Sequence, residues 1–414
     1  MIRILQLDEA KDLARRKALR LAEAERVVAP ILQAVRARGD AALLDYCREF
    51  EGFDGASVLV APPECQSALD RLDSKFLAAV ETAAHNIREY AKTQLPRERW
   101  TEYPDGRRLG QVVRPLDSMG AYIPGGRYPL PSTLLMTVIP AQVAGVRSVA
   151  VACPRPNAEI LGVAAYLKVP AIFRMGGAQA IAALAYGTET VPKVDRIVGP
   201  GNIYVAAAKK LLAGETGIDF VAGPTEIVII AAEGEPTHLA ADMLAQAEHD
   251  VEAASILLTP SRSLAEAVAA EIERQLTDLP TAAVAREAIG RHSAIVLVEQ
   301  IEQAAEFCND LAPEHLALHD SSLLPAIRHA GSIFLGPSSP EAAGDYASGP
   351  NHVLPTSGAA RVRGGLSAAD FVKVISVQEL SPGALAHLAP AVTTLARAEG
   401  LEAHARSIEV RFHG

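Results

Sequence analysis

The sequence predicts an α/β protein built on parallel sheets, and three features carry that prediction. Between residues 146 and 230, short β-branched runs alternate with alanine-rich stretches of helical period, which is the pattern of strand, tight turn and crossover helix. Hydrophobic residues make up 49% of the 414-residue chain but aromatic residues only 5%, so a core of Ala, Val, Leu and Ile is expected, alanine-rich helices lying on Val/Ile strands. Glycines stand between strand and helix at Gly176-Gly177 and at Gly199 and Gly201, where tight turns need them. At this length two or more domains are expected.

In chain order, residues 1 to about 120 read as mostly helical. Stretches 16–38 and 76–90 carry Leu, Val and Ala at helical spacing among charges, the first interrupted by Gly39-Asp40. Strand then helix follows three times: 148–152 and 159–167, 171–175 and 179–186, 195–198 and 204–212. Residues 218–226 read as a strand entering the Gly223-Pro224 turn. Alternation resumes with a strand at 227–231, a helix opened by Pro236 with Thr237 as its N-cap, a strand at 254–258, a helix at 264–276 and a strand at 293–298. Leu316-Ala317-Leu318-His319 starts another strand, 339–355 forms an irregular loop, and the last 45 or so residues are again mainly helical. There is no repeat and no long linker, so the domains are interleaved.

Bulk properties exclude several classes of function. The formal net charge is −10 with no Lys/Arg cluster, which argues against nucleic acid or an anionic membrane as partner. Cys47, Cys65, Cys153 and Cys308 are scattered without a C-x-x-C pair, so reduced thiols are expected rather than disulfides or a thiolate metal cluster. Charged residues stand where a signal peptide needs an apolar core, and no apolar run is long enough to span a bilayer. A cytoplasmic protein is expected.

Several clusters carry chemistry. On the helix after Pro236, Gln246 and His249 are three apart, so both project from one face near its C-terminal end. An amide oxygen and an imidazole nitrogen so placed can grip a metal ion or a polar substrate. Ala312-Pro313-Glu314-His315-Leu316 sets a carboxylate beside an imidazole at a strand mouth, which reads as an acid–base pair or as two solvated residues at a strand end. The Gly- and Pro-rich loop 339–355 presents Asp345, Asn351 and His352, while Tyr346, Val353 and Leu354 pack it against something. Near the C-terminus, Glu399 and His404 are five apart, which is no same-face spacing and says nothing alone. No G-x-G-x-x-G follows a strand. The turns Gly176-Gly177-Ala178-Gln179 and Gly199-Pro200-Gly201-Asn202 place backbone N–H groups at helix starts, suited to an anion or needed for geometry alone. Tyr122-Ile123-Pro124-Gly125-Gly126-Arg127 makes a third such turn.

In this order, these segments closely resemble the histidinol dehydrogenases, zinc- and NAD-dependent enzymes that complete histidine biosynthesis. The likeness runs from about Pro115 onward and is looser over the first 80 residues. It implies two incomplete Rossmann-like parallel-sheet domains with small helical N- and C-terminal segments. The N-terminal arm would span 1–17, the first domain 18–121 and 225–366, the NAD-binding domain 122–224, and the C-terminal segment 367–414. It further implies zinc ligands Gln246, His249, Asp345 and His404, with Glu314 activating water and His315 as general base. Thr225, His352 and Glu399 would line the substrate site, where Gln246, His249, His315, Asp345 and His404 would also meet substrate. NAD would be held by Tyr122, Gln179 and Asn202. The expected partner is a second copy of the chain, in a homodimer with shared sites where His404 completes the other subunit's zinc sphere. Nitrogen and oxygen donors of this kind suit zinc, which takes them at about 2.0–2.2 Å. The implied reaction is oxidation of L-histidinol through L-histidinaldehyde to L-histidine.

Three segments depart from the resembled pattern. Gly349-Pro350-Asn351-His352 stands where Gly-Thr-Asn-His is usual, Ser357 replaces an aromatic before Gly358, and 361–367 carries Arg363 and an extra glycine where serines are common. Arg363 reads as a surface charge, or as an aid to an anionic substrate. The alternative function is a paralogous zinc/NAD alcohol dehydrogenase acting on another alcohol, such as sulfopropanediol; Glu399 favours histidinol. The rival from another class is a non-catalytic metal- or nucleotide-binding scaffold.

Overall fold

The computed structural model describes residues 2–14, 19–125 and 128–412. Two compact units divide the chain: Met1–Gln94 with Leu116–Phe371, and Leu95–Pro115 with Val372–Gly414. Strand β1 (Arg3–Gln6) opens the chain, and β2 (Arg99–Glu102) and β3 (Arg107–Pro115) make a hairpin. Strands β4 (Ser118–Tyr122), β5 (Ser148–Ala152), β6 (Ala171–Phe173), β7 (Arg196–Val198) and β8 (Gly217–Ile218) follow. Then come β9 (Glu226–Ile230), β10 (Ala254–Thr259), β11 (Ala294–Leu297), β12 (His315–Leu318) and β13 (Ser332–Leu335), and last β14 (Val372–Leu380).

The first unit contains two sheets, in the orders β6-β5-β4-β7-β8 and β1-β11-β10-β9-β12-β13. Every pairing in both is parallel, as two incomplete Rossmann-like sheets require. Their strands bury both faces. In β9, Ile227 and Ile229 enter one apolar cluster while Val228 and Ile230 enter another. This two-sided burial is why the strands read as continuous apolar runs. Each such side chain contributes about 1.5–3 kcal/mol when fully buried. The helix Pro236–Ala247 covers one face through Leu239, Ala240, Met243, Leu244 and Ala247, at the three- and four-residue spacing of an amphipathic helix. Pro236 is its first residue and Glu235 its N-cap, so Thr237 lies inside the helix and is not the cap.

The chain ends depart from the helical expectation. Arg3–Gln6 pairs in parallel with β11, from Arg3 opposite Ala294 to Gln6 opposite Leu297. A 3-10 helix, Glu9–Ala14, follows, and residues 15–18 lie outside the described ones. The edge of the sheet takes in a short Ile/Leu segment whose fate is set by tertiary context. The long helices expected before residue 120 are present as Leu19–Arg38 and Ser74–Thr93, but the region ends in strands. In the second unit β14 pairs antiparallel with β3 from Val372–Pro115 to Leu380–Arg107, and β3 pairs with β2. Most of β14 is exposed in the single chain, so no alternating apolar signal announces it. Helices Pro382–Ala398 and Glu402–Glu409 complete this unit. All four cysteines are free, three buried and Cys65 half-buried. Among the described residues no helix is long and apolar enough to cross a membrane.

Candidate active site

In the sheet containing β9 and β12, the chain steps from β9 to β10 to β11 on one side and from β12 to β13 on the other. Ligands in open parallel sheets usually gather at the carboxyl ends of strands at such a switch point. Here the chemistry stands at the amino ends: Thr225-Glu226 leads into β9 and Glu314-His315 into β12, with His315 opposite Ile227. The helix Ile301–Leu311 ends in Ala312, whose φ of 48° lies in the left-handed region, and Pro313 prevents the helix from continuing. Glu314 accepts bonds from Thr225 Oγ1 at 2.6 Å and from the Glu226 N–H at 2.9 Å. Burial nonetheless pushes its pKa up to about 7.

His315 is buried beneath the Phe334 ring, at a centroid distance of 6.0 Å. Its Nδ1 lies 3.3 Å from the Glu226 carbonyl and 3.2 Å from Glu341. Among the described residues its Nε2 has no hydrogen-bond partner, and it faces Asp345 Oδ1 at 3.6 Å. Asp345 in turn stands 3.9 Å from His249 Nε2. His352 donates through Nδ1 to the Asp345 carbonyl at 2.8 Å and meets Thr133 Oγ1 through Nε2 at 3.2 Å. Gln246 is fully buried and contacts Thr225 Oγ1 at 2.5 Å. Thr225, Gln246, His249, Glu314, His315, Asp345 and His352 are thus linked through one network, His249 on its exposed side.

Glu341, Glu226 and Thr133 belong to this network and were not singled out from the sequence. The segment read as an irregular loop contains a helix, Glu341–Tyr346. A signal was present: Pro340 followed by an acid opens a helix, and Glu341 and Asp345 are then four apart on one face. Gly344 lets this helix approach Phe334, whose ring a Cβ there would strike.

The cluster carries more negative charge than it can hold. Burial, with the Asp345 and Glu314 carboxylates, pushes Glu341 up to about 8. Burial alone would lower the His315 pKa, but Glu341, Glu314 and Asp345 together raise it to about 10. One orientation of the Gln246 amide turns its oxygen onto the Glu341 carboxylate, an acceptor–acceptor contact; the other turns its nitrogen there. In the second arrangement the nitrogen donates to Glu341 and the oxygen accepts from the Glu226 N–H at 2.9 Å, which satisfies both ends of the amide. Among the described residues His315, Glu341 and Asp345 offer ligand atoms all within 4.8 Å of one another. A set of imidazole, carboxylate and amide donors without thiolate fits a divalent cation such as zinc.

The other sheet places its turns at the usual end. Its switch point lies between β4 and β7, with Tyr122 closing β4 and Gly199 following β7. Tyr122 is buried and its hydroxyl accepts the Gly177 N–H at 3.1 Å. Gln179 is buried and donates through Nε2 to Glu51 at 2.8 Å, where the Gly176 N–H also donates at 2.8 Å. The Gly176 and Gly177 N–H groups are therefore held internally. Asn202 is exposed and caps the helix Ile203–Leu212, accepting from Tyr204 and Val205 N–H at 3.0 and 3.1 Å. Gly126 and Arg127 of the third turn lie outside the described residues.

Glu51 gives a pH-dependent expectation. Burial raises its pKa from 4.5 to about 7, so the unfolded chain ionises it before the folded one does. Stability is then lost between pH 4.5 and about 7. Glu51→Gln stays neutral and keeps an acceptor. It should unfold at a higher temperature than wild type at pH 8.5 by roughly 1–2 kcal/mol of stability, with the gap closing by pH 4.5. A gap independent of pH would show that burial of the charge is not the cause.

The departing segments pack as structure. Ser357 donates its N–H to Glu226 Oε1 at 3.0 Å. Arg363 binds Asp370 at 3.0 Å and the Asp219 carbonyl, and lies 5.2 Å over the Phe220 ring. Glu399 and His404 belong to the second unit. Glu399 caps the helix Pro382–Ala398 at its C-terminal end, and His404, exposed in the single chain, lies on the helix Glu402–Glu409 after the Gly400 turn.

Two parallel sheets, one with a buried imidazole–carboxylate centre and one with glycine turns at its switch point, have the build of an α/β oxidoreductase. A family model described as histidinol dehydrogenase matches residues 14–412. The chain belongs to the histidinol dehydrogenase family. It is 49% identical to the histidinol dehydrogenase of Geobacillus kaustophilus over 94% of both chains, and 50% identical to that of Thermus thermophilus over 94% of both. A crystal structure of histidinol dehydrogenase from Elizabethkingia anophelis matches at a TM-score of 0.95 and 35% identity, over 100% of this chain and 98% of that one.

Proposed function

We propose that the chain oxidises L-histidinol to L-histidine through L-histidinaldehyde in two NAD-linked steps, the last of histidine biosynthesis. The observation that carries this reading is the unpartnered, buried His315 Nε2 facing Asp345 beside a buried Glu314, in a chain about half identical to histidinol dehydrogenases. Gln246, His249 and Asp345 would hold zinc, with His404 from a second copy of the chain. When bound, zinc supplies a Lewis acid for the substrate oxygen and a positive charge that opposes the pull of the carboxylates on the His315 proton. Tyr122, Gln179 and Asn202 would hold NAD, which accepts the hydride. His315 Nε2 takes the hydroxyl proton as the alcohol becomes an aldehyde. As water adds to the aldehyde carbon, Glu314 takes a proton from it and His315 returns its own proton to the aldehyde oxygen; the hydrate then gives up a second hydride to a second NAD, its hydroxyl proton passing to the freed His315 Nε2. His352, Thr225 and Glu399 would bind the substrate.

An anionic alcohol has less support, because the Arg363 guanidinium is engaged by Asp370 and the Asp219 carbonyl. Purified protein given a panel of alcohols should form two NADH per histidinol and little with the others. One NADH per histidinol, or preference for another alcohol, would reject the reading. The shared site has its own test. Subunits of His404→Ala and His249→Ala protein, allowed to exchange, should regain one working site per hybrid dimer. No recovery with exchange confirmed would place His404 in its own chain's site.

A further inference from the structure

We propose that the buried Lys209–Asp219 ion pair positions the dinucleotide turn, by holding Gly199 through both its N–H and its carbonyl and so setting where Asn202 stands relative to Tyr122. The inference rests on the NAD-site reading above. The two side chains are 2% and 0% exposed and touch each other. Asp219 Oδ2 accepts the Gly199 N–H at 2.8 Å, and Lys209 Nζ donates to the Gly199 carbonyl at 2.8 Å. Among the described residues, the hydrogen bonds that the two side chains make beyond the pair go to that glycine and to the Phe220 N–H, which donates to Asp219 Oδ1 at 2.6 Å.

Gly199 has a φ of 113°, and a Cβ there would strike the Tyr122 carbonyl oxygen. The backbone at Gly199 is therefore fixed between the end of β4 on one side and the ion pair on the other. Three residues later Asn202 uses its carbonyl oxygen to cap the next helix, which leaves its amide nitrogen for a ligand. Tyr122 meets the neighbouring turn as well, through Gly177. One buried pair thus lies under the link between the turns that carry the nucleotide residues.

Stability alone does not call for this pair. Two charges taken out of water are rarely repaid by their mutual attraction, and apolar residues of similar volume often serve the core as well. What apolar residues cannot do is satisfy the N–H and the carbonyl of one residue, and so hold the two peptide planes that flank it, at the same time. Lys209 and Asp219 are accordingly positioning residues, acting through Gly199 and Asn202.

The test uses zinc-loaded, full-length enzyme with NAD titrated calorimetrically and in turnover. Lys209→Met/Asp219→Leu removes both charges at similar volume, and Asp219→Asn is the milder variant. Each should raise Kd and KM for NAD about tenfold or more, as small misplacements of a binding group do. KM for the alcohol and kcat at saturating NAD should stay within about threefold. A folded variant that binds NAD like wild type overturns the proposal; if the double variant does not fold, Asp219→Asn alone decides. Asn202→Ala and Tyr122→Ala separate the two readings. If they leave NAD binding unchanged, the site reading fails. If they weaken it while the ion-pair variants do not, only the positioning role fails.

Discussion

Chelation of the purified protein is expected to remove about one zinc per chain and to lower turnover on the order of a thousandfold, without unfolding it. A Lewis acid at the reacting oxygen contributes several kcal/mol to the transition state, and about 4 kcal/mol is a factor of that size. The fold should survive because the site residues have other partners. Glu314 is held by Thr225 and Glu226, and His352 by Thr133 and the Asp345 carbonyl. The strands that carry them are buried on both faces. Far-UV circular dichroism should therefore be unchanged while activity is lost, and zinc should restore it. Full turnover by demonstrably metal-free protein would defeat the proposed role of Gln246, His249 and Asp345.

Glu314→Gln is expected to slow aldehyde oxidation by about 10²–10⁴-fold, the range that a positioned general base supplies, and alcohol oxidation far less. The substitution keeps an oxygen for Thr225 Oγ1 and the Glu226 N–H, so the strand mouth should hold its shape. What it removes is the carboxylate that takes a proton from water. His315→Asn should do the reverse and damage alcohol oxidation, since Nε2 is the buried atom without a partner on the side of Asp345. Histidinaldehyde supplied directly separates the steps. If Glu314→Gln oxidises the aldehyde at the wild-type rate, the division of labour between the two residues is wrong.

Much of the fold is legible in the sequence, for a physical reason. Strands buried on both faces must be apolar throughout, so β5, β9 and β10 announce themselves as runs, and helices such as Pro236–Ala247 carry their buried face at helical spacing. Glycine and proline mark the turns between them. The Glu314-His315 pair is legible because its two members are adjacent and Pro313 sets them at a strand mouth. Strand β14 left no such trace, because it is exposed along most of its length and its pairing with β3 is made by backbone groups that any residue has.

The α/β class, the order of the main elements and the kinds of donor available (amide, imidazole and carboxylate, without thiolate) are written in the residues themselves. Tertiary structure alone decided which of them meet. Gln246, Glu341 and His315 come from three separate elements and converge only because β9 and β12 are neighbours. The same pairing puts the centre at the amino ends of the strands rather than at the carboxyl ends. It also crowds His315 among three carboxylates, which pull its pKa above the ordinary imidazole value. Local period and turn chemistry act over a few residues and are written there. Proximity across the sheet, and the electrostatics that follow from it, arise only when the chain is packed.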